Sequence, residues 1–401
     1  MAKKLFFLIG KIQNYAWGGT QYIPELLGLK ADKKPCAEYW LGAHVNAPSI
    51  LKTSDGNKPL DDYLNSNLTE LLGSEIAEKF GRLPFLFKIL DVNDMLSIQV
   101  HPTKKEAEKG FKYENEKGIP LNARHRNYKD DNHKPEIMVA LSEFWLLHGF
   151  LPKEKLTQVL KSTPEFVQLL PIFEEKGYFD LYKQMMEQSK EESNRLLQPL
   201  VNRILPLYKA GKLHKSNPDY WAAKAVDTSE DKTTLDKGIY SIYFFNIVKV
   251  NKGEAVFQDA GIPHAYLEGQ NMELMANSDN VLRGGLTPKH VDVPELLKHV
   301  LFEETTPNIM LGVLQEDGIE RIYKSPASDF ELSQIAISSL DKYQSIAKTA
   351  QILIVIEGGV EVTEGNTSLI LDKGQSAFLS AGSDYNFSTA DSAILYKATA
   401  P

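Results

Sequence analysis

The apolar runs Ile352-Leu353-Ile354-Val355-Ile356, Val360-Glu361-Val362, Leu369-Ile370-Leu371 and Ala377-Phe378-Leu379 follow one another closely. Between them lie only Glu357-Gly358-Gly359, Gly365-Asn366 and the turn Asp372-Lys373-Gly374, with Ala381-Gly382 after the last. Each run is too short for a helix, and each break is rich in residues that reverse a chain. The stretch therefore reads as short strands joined by glycine turns, the pattern of a double-sheet jelly roll. The last histidine of the chain is His299. The unit 321–401 thus has no histidine for a metal site and reads as a structural or interface domain.

The same texture extends upstream. Residues 240–250 are strand-like, Asn251-Lys252-Gly253 is a turn and Ala255-Val256-Phe257 a strand. Ala260-Gly261-Ile262-Pro263 then turns into His264-Ala265-Tyr266-Leu267. In the first 150 residues, Leu83-Pro84-Phe85-Leu86-Phe87-Lys88-Ile89-Leu90 reads as a buried strand carrying one lysine, and Ile137-Met138-Val139-Ala140-Leu141 as another. Residues 1–10 faintly mimic a signal peptide, but the apolar part is short and Lys11 and Gln13 follow at once, so they read as a first strand. Residues 151–235 differ. Ser162-Thr163-Pro164-Glu165 has the form of a capping box with an early proline. Apolar residues then recur at helical spacing at Phe166, Leu169, Leu170 and Phe173, and at Leu196, Leu197, Leu200, Ile204 and Leu205. Residues 211–215 and 228–232 read as its loops, and the aromatic and methionine residues of 178–186 as core packing. The predicted architecture is mainly β with a helical insertion: a jelly roll from 1–150 and 236–320, interrupted by the helical domain 151–235, and a second jelly roll at 321–401.

Composition sets outer bounds. A chain of 401 residues exceeds one typical core, so two or three domains are expected. Hydrophobic content of 42% is that of a packed globular protein. Net charge is −8, from 45 basic and 53 acidic residues, which argues against a nucleic-acid surface and requires a local basic cluster to draw in any anionic substrate. The single cysteine, Cys36, excludes an internal disulfide, fits a reducing compartment and reads as a small buried apolar residue. No stretch approaches a membrane span. The expectation is a soluble, cytoplasmic protein.

The chemistry begins at Leu96-Ser97-Ile98-Gln99-Val100-His101-Pro102. Alternate residues of a strand face the same way, so Gln99 and His101 project together. They read either as metal ligands or as satisfied polar groups at a strand end. With Glu136 and His264 they would give two imidazoles, a carboxylate and an amide oxygen, a set suited to zinc, although spacing alone does not reveal that partnership. Lys88 sits between apolar residues, where an ammonium needs an anionic partner or a wet cavity. Lys134 precedes Pro135-Glu136, and Arg283 precedes Gly284-Gly285, where little bulk stands between an arginine and an anionic group. Glu273 and Asp279 are candidate acid–base groups. His44, His125, His133, His148, His214, His290 and His299 show no ligand spacing.

Several longer runs carry a resemblance. Gln13-Asn14-Tyr15-Ala16-Trp17-Gly18-Gly19, Ala37-Glu38-Tyr39-Trp40-Leu41-Gly42-Ala43-His44 and Ser97-Ile98-Gln99-Val100-His101-Pro102 resemble the type I phosphomannose isomerases, metalloenzymes of the cupin superfamily. So do Gly261-Ile262-Pro263-His264-Ala265-Tyr266 and Asn280-Val281-Leu282-Arg283-Gly284-Gly285-Leu286-Thr287-Pro288-Lys289. The resemblance implies two cupin-type jelly rolls and one zinc ion per chain held by Gln99, His101, Glu136 and His264. It implies interconversion of mannose 6-phosphate and fructose 6-phosphate through a cis-enediol. It places Arg283 on the rim of the sugar-phosphate pocket as an active-site group, with Lys134, Asp279 and Glu273 as further catalytic candidates. Trp17, Glu38, Lys88, Ser97 and Lys289 line the pocket. Ala16 departs from relatives that carry an acidic residue there. No nucleotide-binding loop is evident, which argues against a bifunctional isomerase–nucleotidyltransferase. The expected partner is a small sugar phosphate, without nucleic acid or membrane, and the chain is expected as a monomer or weak homo-oligomer. Two alternatives remain at this point: a metal-dependent cupin oxygenase, which the lysines disfavour, and a non-catalytic sugar-phosphate-binding cupin.

Overall fold

Strands from both sides of the helical segment pair with one another. In the computed structural model, which describes residues 3–231 and 233–401, Phe85–Val92 bonds to Glu38–Gly42 on one side and to the long strand His264–Ala276 on the other. His264–Ala276 also pairs with Glu136–Ala140, which pairs with Ala255–Gln258. The first residues of the long strand cross into a second layer, made with Phe144–Phe150, Phe245–Val250, Gln99–Val100 and Leu282–Arg283. All these pairings are antiparallel, and the two layers make one jelly roll. Met1, Ala2 and Lys232, and with them parts of the expected first strand and of the 228–232 loop, lie outside the described residues.

Period-two alternation separates the two faces of the first layer. Leu41, Phe87, Ile89, Ile137, Met272 and Leu274 point outward into a core shared with the C-terminal unit, where they meet Leu8, Ile352, Ile354 and Phe378. The opposite face carries Trp40, Lys88, Glu273 and Glu136 into the jelly roll, beside a smaller apolar cluster that includes Leu90, Met138, Leu146 and Tyr266. Burying each large apolar side chain of the shared core is worth roughly 1.5–3 kcal/mol. That seam therefore holds the two jelly rolls firmly together. The helices Lys153–Ser162, Leu170–Glu187, Lys190–Lys209 and Pro218–Thr228 share one core cluster with Trp145, Leu147 and Phe150 of the second layer through Leu156, Tyr182, Leu200 and Trp221. Tyr182, Met185 and Met186 are core residues, in line with their sequence reading.

Several local expectations need correction. Leu5–Ile9 does not join the first jelly roll. It pairs with Ser376–Leu379 and Ile50–Thr53, so these N-terminal strands extend the C-terminal sheet and the expected division at residue 321 is crossed by residues 5–9 and 50–59. Residues 238–244 form a helix rather than the start of a strand. All seven are buried, which leaves no apolar–polar alternation to read, and the Asp236 carboxylate takes the Gly238 amide at its start. Gln351–Glu364 is one continuous strand that runs through Glu357-Gly358-Gly359 without turning, with a bulge between Val355 and Glu357. Gly358 has φ 71°, and a Cβ there would lie 2.0 Å from the Ser392 carbonyl oxygen. At Pro164–Leu169 the chain makes a 3-10 turn without a side-chain cap: Ser162 Oγ donates to the Val159 carbonyl, and Glu165 gives its carboxylate to Arg203 at 3.0 Å. Capping boxes form instead at Thr103/Glu106 and Ser189/Glu192.

Candidate metal centre

Glu136 opens its strand directly after Pro135, and His264 opens the long strand directly after Pro263. Register places His264 opposite Gln99, and Gln99 opposite Arg283. His101 lies two residues beyond Gln99, so the two share a direction as the alternation rule requires. His101, Glu136 and His264 are all buried, and their ligand atoms lie within 4.8 Å of one another. The Glu136 carboxylate sits between the imidazoles, 3.4 Å from His101 Nε2 and 3.3 Å from His264 Nε2.

Proton placement makes this a cation site. His101 Nδ1 lies 2.8 Å from the Asn280 carbonyl oxygen, and His264 Nδ1 lies 2.9 Å from that of Ile262. A carbonyl only accepts, so each Nδ1 carries the hydrogen and each Nε2 presents a lone pair. Both Nε2 atoms are buried without a hydrogen-bond partner. Two lone pairs aimed at a carboxylate are mutually repulsive until a cation lies among them, and Nδ1–H bound to a carbonyl is the usual support for a metal-ligating histidine. Burial, joined by the neighbouring Lys134 charge, pushes the His101 imidazole down to about 4, which keeps it neutral and able to ligate. Burial would raise the Glu136 carboxyl, but Lys134 and His101 more than offset it and hold Glu136 well below the usual range. Lys134 Nζ is 2.9 Å from Glu136 Oε1. The donor set fits zinc, with Gln99 placed by register beside it.

The charged lining continues along the inner face of the first layer. Lys88 Nζ is 2.9 Å from Glu273 and 3.7 Å from Glu38, so its expected anionic partner is a pair of carboxylates. Burial works against the ammonium, but Glu273, Glu38 and Glu136 outweigh it and raise its proton affinity. Burial raises the Glu273 carboxyl against the opposing Lys88 charge. Lys88 also lies over the Trp40 ring, 5.3 Å from its centroid, and Trp40 Nε1 donates to Glu38.

Arg283 is partly buried. Burial lowers its proton affinity, and among the described residues it has no carboxylate at ion-pair distance. Its charge is felt by Lys289 and Lys129, so these basic groups share one rim. Asp279 pairs with His44, and the charges of Lys134 and Lys88 reach its carboxyl. Trp17 is half-buried and stacks on Tyr15 at 5.9 Å, whose hydroxyl feels Glu38, Lys88 and Asp279. Ser97 is half-buried, two residues before Gln99 on the same strand approach. Sequence reasoning missed Tyr15, Trp40 and His44. Trp40 was legible, since it lies two residues from Glu38 on one strand face, while the other two take their places from chain reversals that carry no periodic signal.

A jelly roll holding a buried imidazole–carboxylate–imidazole set beside a lysine-rich chamber defines a metal-binding cupin built for a charged substrate. Comparison with known proteins narrows the class. Residues 5–153 match the phosphomannose isomerase type I catalytic domain. The chain is 38% identical to mannose-6-phosphate isomerase of Escherichia coli (strain K12) over 381 residues, covering 93% of this chain and 94% of that protein. It is 33% identical to the Homo sapiens mannose-6-phosphate isomerase, covering 95% and 94% of the two chains. The crystal structure of the Salmonella typhimurium enzyme, bound to substrate (F6P) and zinc, superposes with a TM-score of 0.89 at 34% identity and covers 99% of this chain and 100% of that one. The chain belongs to the type I phosphomannose isomerase family.

Proposed function

We propose that this protein is a zinc-dependent aldose–ketose isomerase that interconverts mannose 6-phosphate and fructose 6-phosphate through a cis-enediol. One observation carries the reading: Glu136 lies between two buried, unprotonated imidazole nitrogens and borders a chamber of lysines and glutamates, in a chain of this family. The oxygenase alternative would not need that charged chamber. The reaction moves a proton between the first two carbons of an open-chain sugar.

His101, Glu136, His264 and Gln99 would hold the zinc, which supplies positive charge to polarise sugar oxygens and favour the enediolate. The chain's own groups do the rest. Lys134, Asp279 and Glu273 supply proton donors and acceptors within one chamber, and Arg283 offers a permanently charged planar group that pairs with no carboxylate among the described residues. Glu38, Lys88, Ser97, Trp17 and Lys289 shape the pocket, and the Arg283–Lys289 rim offsets the phosphate charge. We read 1–150 with 236–320 as the catalytic unit, 151–235 as its insertion and 321–401 as the second jelly roll. The pairing of strands across the insertion supports this, with residues 5–9 and 50–59 lent to the second sheet. The protein is further read as cytoplasmic, free of nucleic acid, and a monomer or weak homo-oligomer. Its single cysteine and net charge of −8 support the first two readings. Among the described residues no helix is long and apolar enough to cross a membrane.

The test is metal content measured beside isomerase turnover. His101→Ala and His264→Ala should each lose most bound zinc and most activity while keeping the parent circular dichroism. Stoichiometric zinc with full turnover in either variant would overturn the assignment.

A further inference from the structure

His44 is buried, with its side chain 5% exposed, and it occurs in the turn that follows strand Glu38–Gly42. Its Nδ1 accepts the Asn46 backbone N–H at 3.3 Å, so the ring hydrogen of the neutral imidazole is on Nε2. That Nε2 lies 3.2 Å from Asp279 Oδ1. The ring also packs edge-on against Trp40, with centroids 4.9 Å apart, and Trp40 is the side chain that contacts both Glu38 and Lys88. His44 is thereby built into the wall of the charged chamber, with its one N–H aimed at a carboxylate.

Asp279 needs such an anchor. Its side chain is 43% exposed, and a half-exposed carboxylate on a loop turns freely unless something holds it. The backbone is already fixed. Asp130 accepts from the Asp279 N–H at 2.7 Å, from Ser278 Oγ at 2.7 Å and from Asn280 Nδ2 at 3.2 Å. Asp130 secures the main chain but does nothing for the carboxylate itself. We propose that His44 is the positioning residue for Asp279 in the isomerase reaction: it holds Oδ1 and turns Oδ2 toward the sugar, without touching substrate. This rests on the isomerase reading above. The electrostatics agree. Burial would raise the Asp279 carboxyl, but the His44 hydrogen bond, with Lys134 and Lys88, brings it below its ordinary value and keeps it ionised. The pair borders a cavity of about 250 Å3, also lined by Arg82, Lys129 and Asp61.

The test compares His44→Ala, His44→Gln, Asp279→Asn and the double variant His44→Ala/Asp279→Asn on the zinc-loaded enzyme. Misplacing a reacting group costs roughly ten- to a hundred-fold in rate. His44→Ala should lower kcat by that factor with KM and zinc content close to the parent. His44→Gln, whose Nε2–H2 stands in for the imidazole N–H, should recover most of the loss. In the Asp279→Asn background, His44→Ala should cost little more, because the residue it positions is already disabled. Equal losses in both backgrounds, no rescue by glutamine, or a loss that follows zinc or melting temperature would overturn the proposal. A readout independent of turnover separates this inference from the isomerase reading. Nitrogen NMR of histidine-labelled protein should show His44 as the Nε2–H tautomer, with that resonance moved by Asp279→Asn. An Nδ1–H tautomer would overturn the pair, whereas a parent without isomerase activity would overturn the reaction.

Discussion

Removing the charge of Lys88 is the perturbation whose cost the structure specifies best. The sequence presents Lys88 as a pocket lysine, and Lys88→Met would then only weaken substrate binding. The structure changes that expectation, because the ammonium is buried between Glu273 at 2.9 Å and Glu38 at 3.7 Å, themselves buried. At an effective dielectric of about 20, each contact is worth roughly 4–6 kcal/mol before desolvation is counted. Desolvation consumes much of that, and deleting one member of a buried pair leaves a net loss of about 3–5 kcal/mol. We expect Lys88→Met to lower the melting temperature by about 6–20 °C, since each kcal/mol shifts a domain of this class by roughly 2–4 °C. Zinc content should be retained, because Lys88 does not touch the ligand set. Lys88→Met/Glu273→Gln removes the uncompensated carboxylate and should recover at least half of the lost stability, yet remain inactive. The single variant should also be less impaired as pH falls, because burial raises the Glu273 carboxyl and it takes up a proton more readily. Differential scanning calorimetry of the three zinc-loaded proteins at pH 8 and pH 5 reads all of this. A single variant as stable as the parent, or a double variant no better than the single, would refute the reasoning.

Other outcomes follow from the same geometry. Arg283→Lys keeps charge but loses the planar fork, so turnover should fall by about two to three powers of ten, equivalent to roughly 3–4 kcal/mol, with a much smaller change in KM; near-normal kinetics would make Arg283 a bystander. Glu136→Gln keeps shape but removes ligand charge and should retain zinc less firmly in a chelator competition; unchanged retention would exclude the carboxylate as a ligand. Glu295, held down to about 2 chiefly by its hydrogen bond to His299, with Lys298 and Tyr128 adding to it, stabilises the fold fully above its ordinary value near 4.5 and progressively less as pH falls toward 2. Glu295→Gln should therefore cost roughly 2 kcal/mol at neutral pH, after discounting the solvent-screened Lys298 contact, and the gap from the parent should be flat from pH 8 to 5 and shrink below 4.5. Denaturant melts across that range would contradict the assignment if the gap widened on acidification.

What could be read from the sequence, and what could not, divides by the range of the interaction. Gln99 and His101 were found by alternation, a property of one strand, and the structure has a strand at Gln99–Val100 with His101 directly after it. Glu136 and His264 came only from the family resemblance, because what joins them is register: His264 opposite Gln99, and Glu136 opposite Met275 on the same long strand. No local pattern encodes a pairing between residues so far apart. Two of the local misreadings also turn on what surrounds the segment. At residues 162–165 the capping-box letters are present, yet Arg203, nearly forty positions downstream, takes the carboxylate that would have closed the box. At 238–244 complete burial removes the alternation that would distinguish helix from strand.

The N-terminal strand makes the point most sharply. Leu5–Ile9 has the composition of any half-buried strand, and nothing in it states which sheet it completes. Its place is decided by the space beside Ser376–Leu379, an edge created by the last quarter of the chain. The consequence reaches the active site. Leu8 enters the shared core with Leu41, Phe87 and Ile89, and those residues lie on the outward face of the strands whose inward face carries Glu38, Trp40 and Lys88. The second jelly roll carries no histidine, yet it packs against the back of the layer that bears the charged chamber. It sets the position of that chamber through packing, and so it belongs to the machinery of the site without contributing a side chain to it.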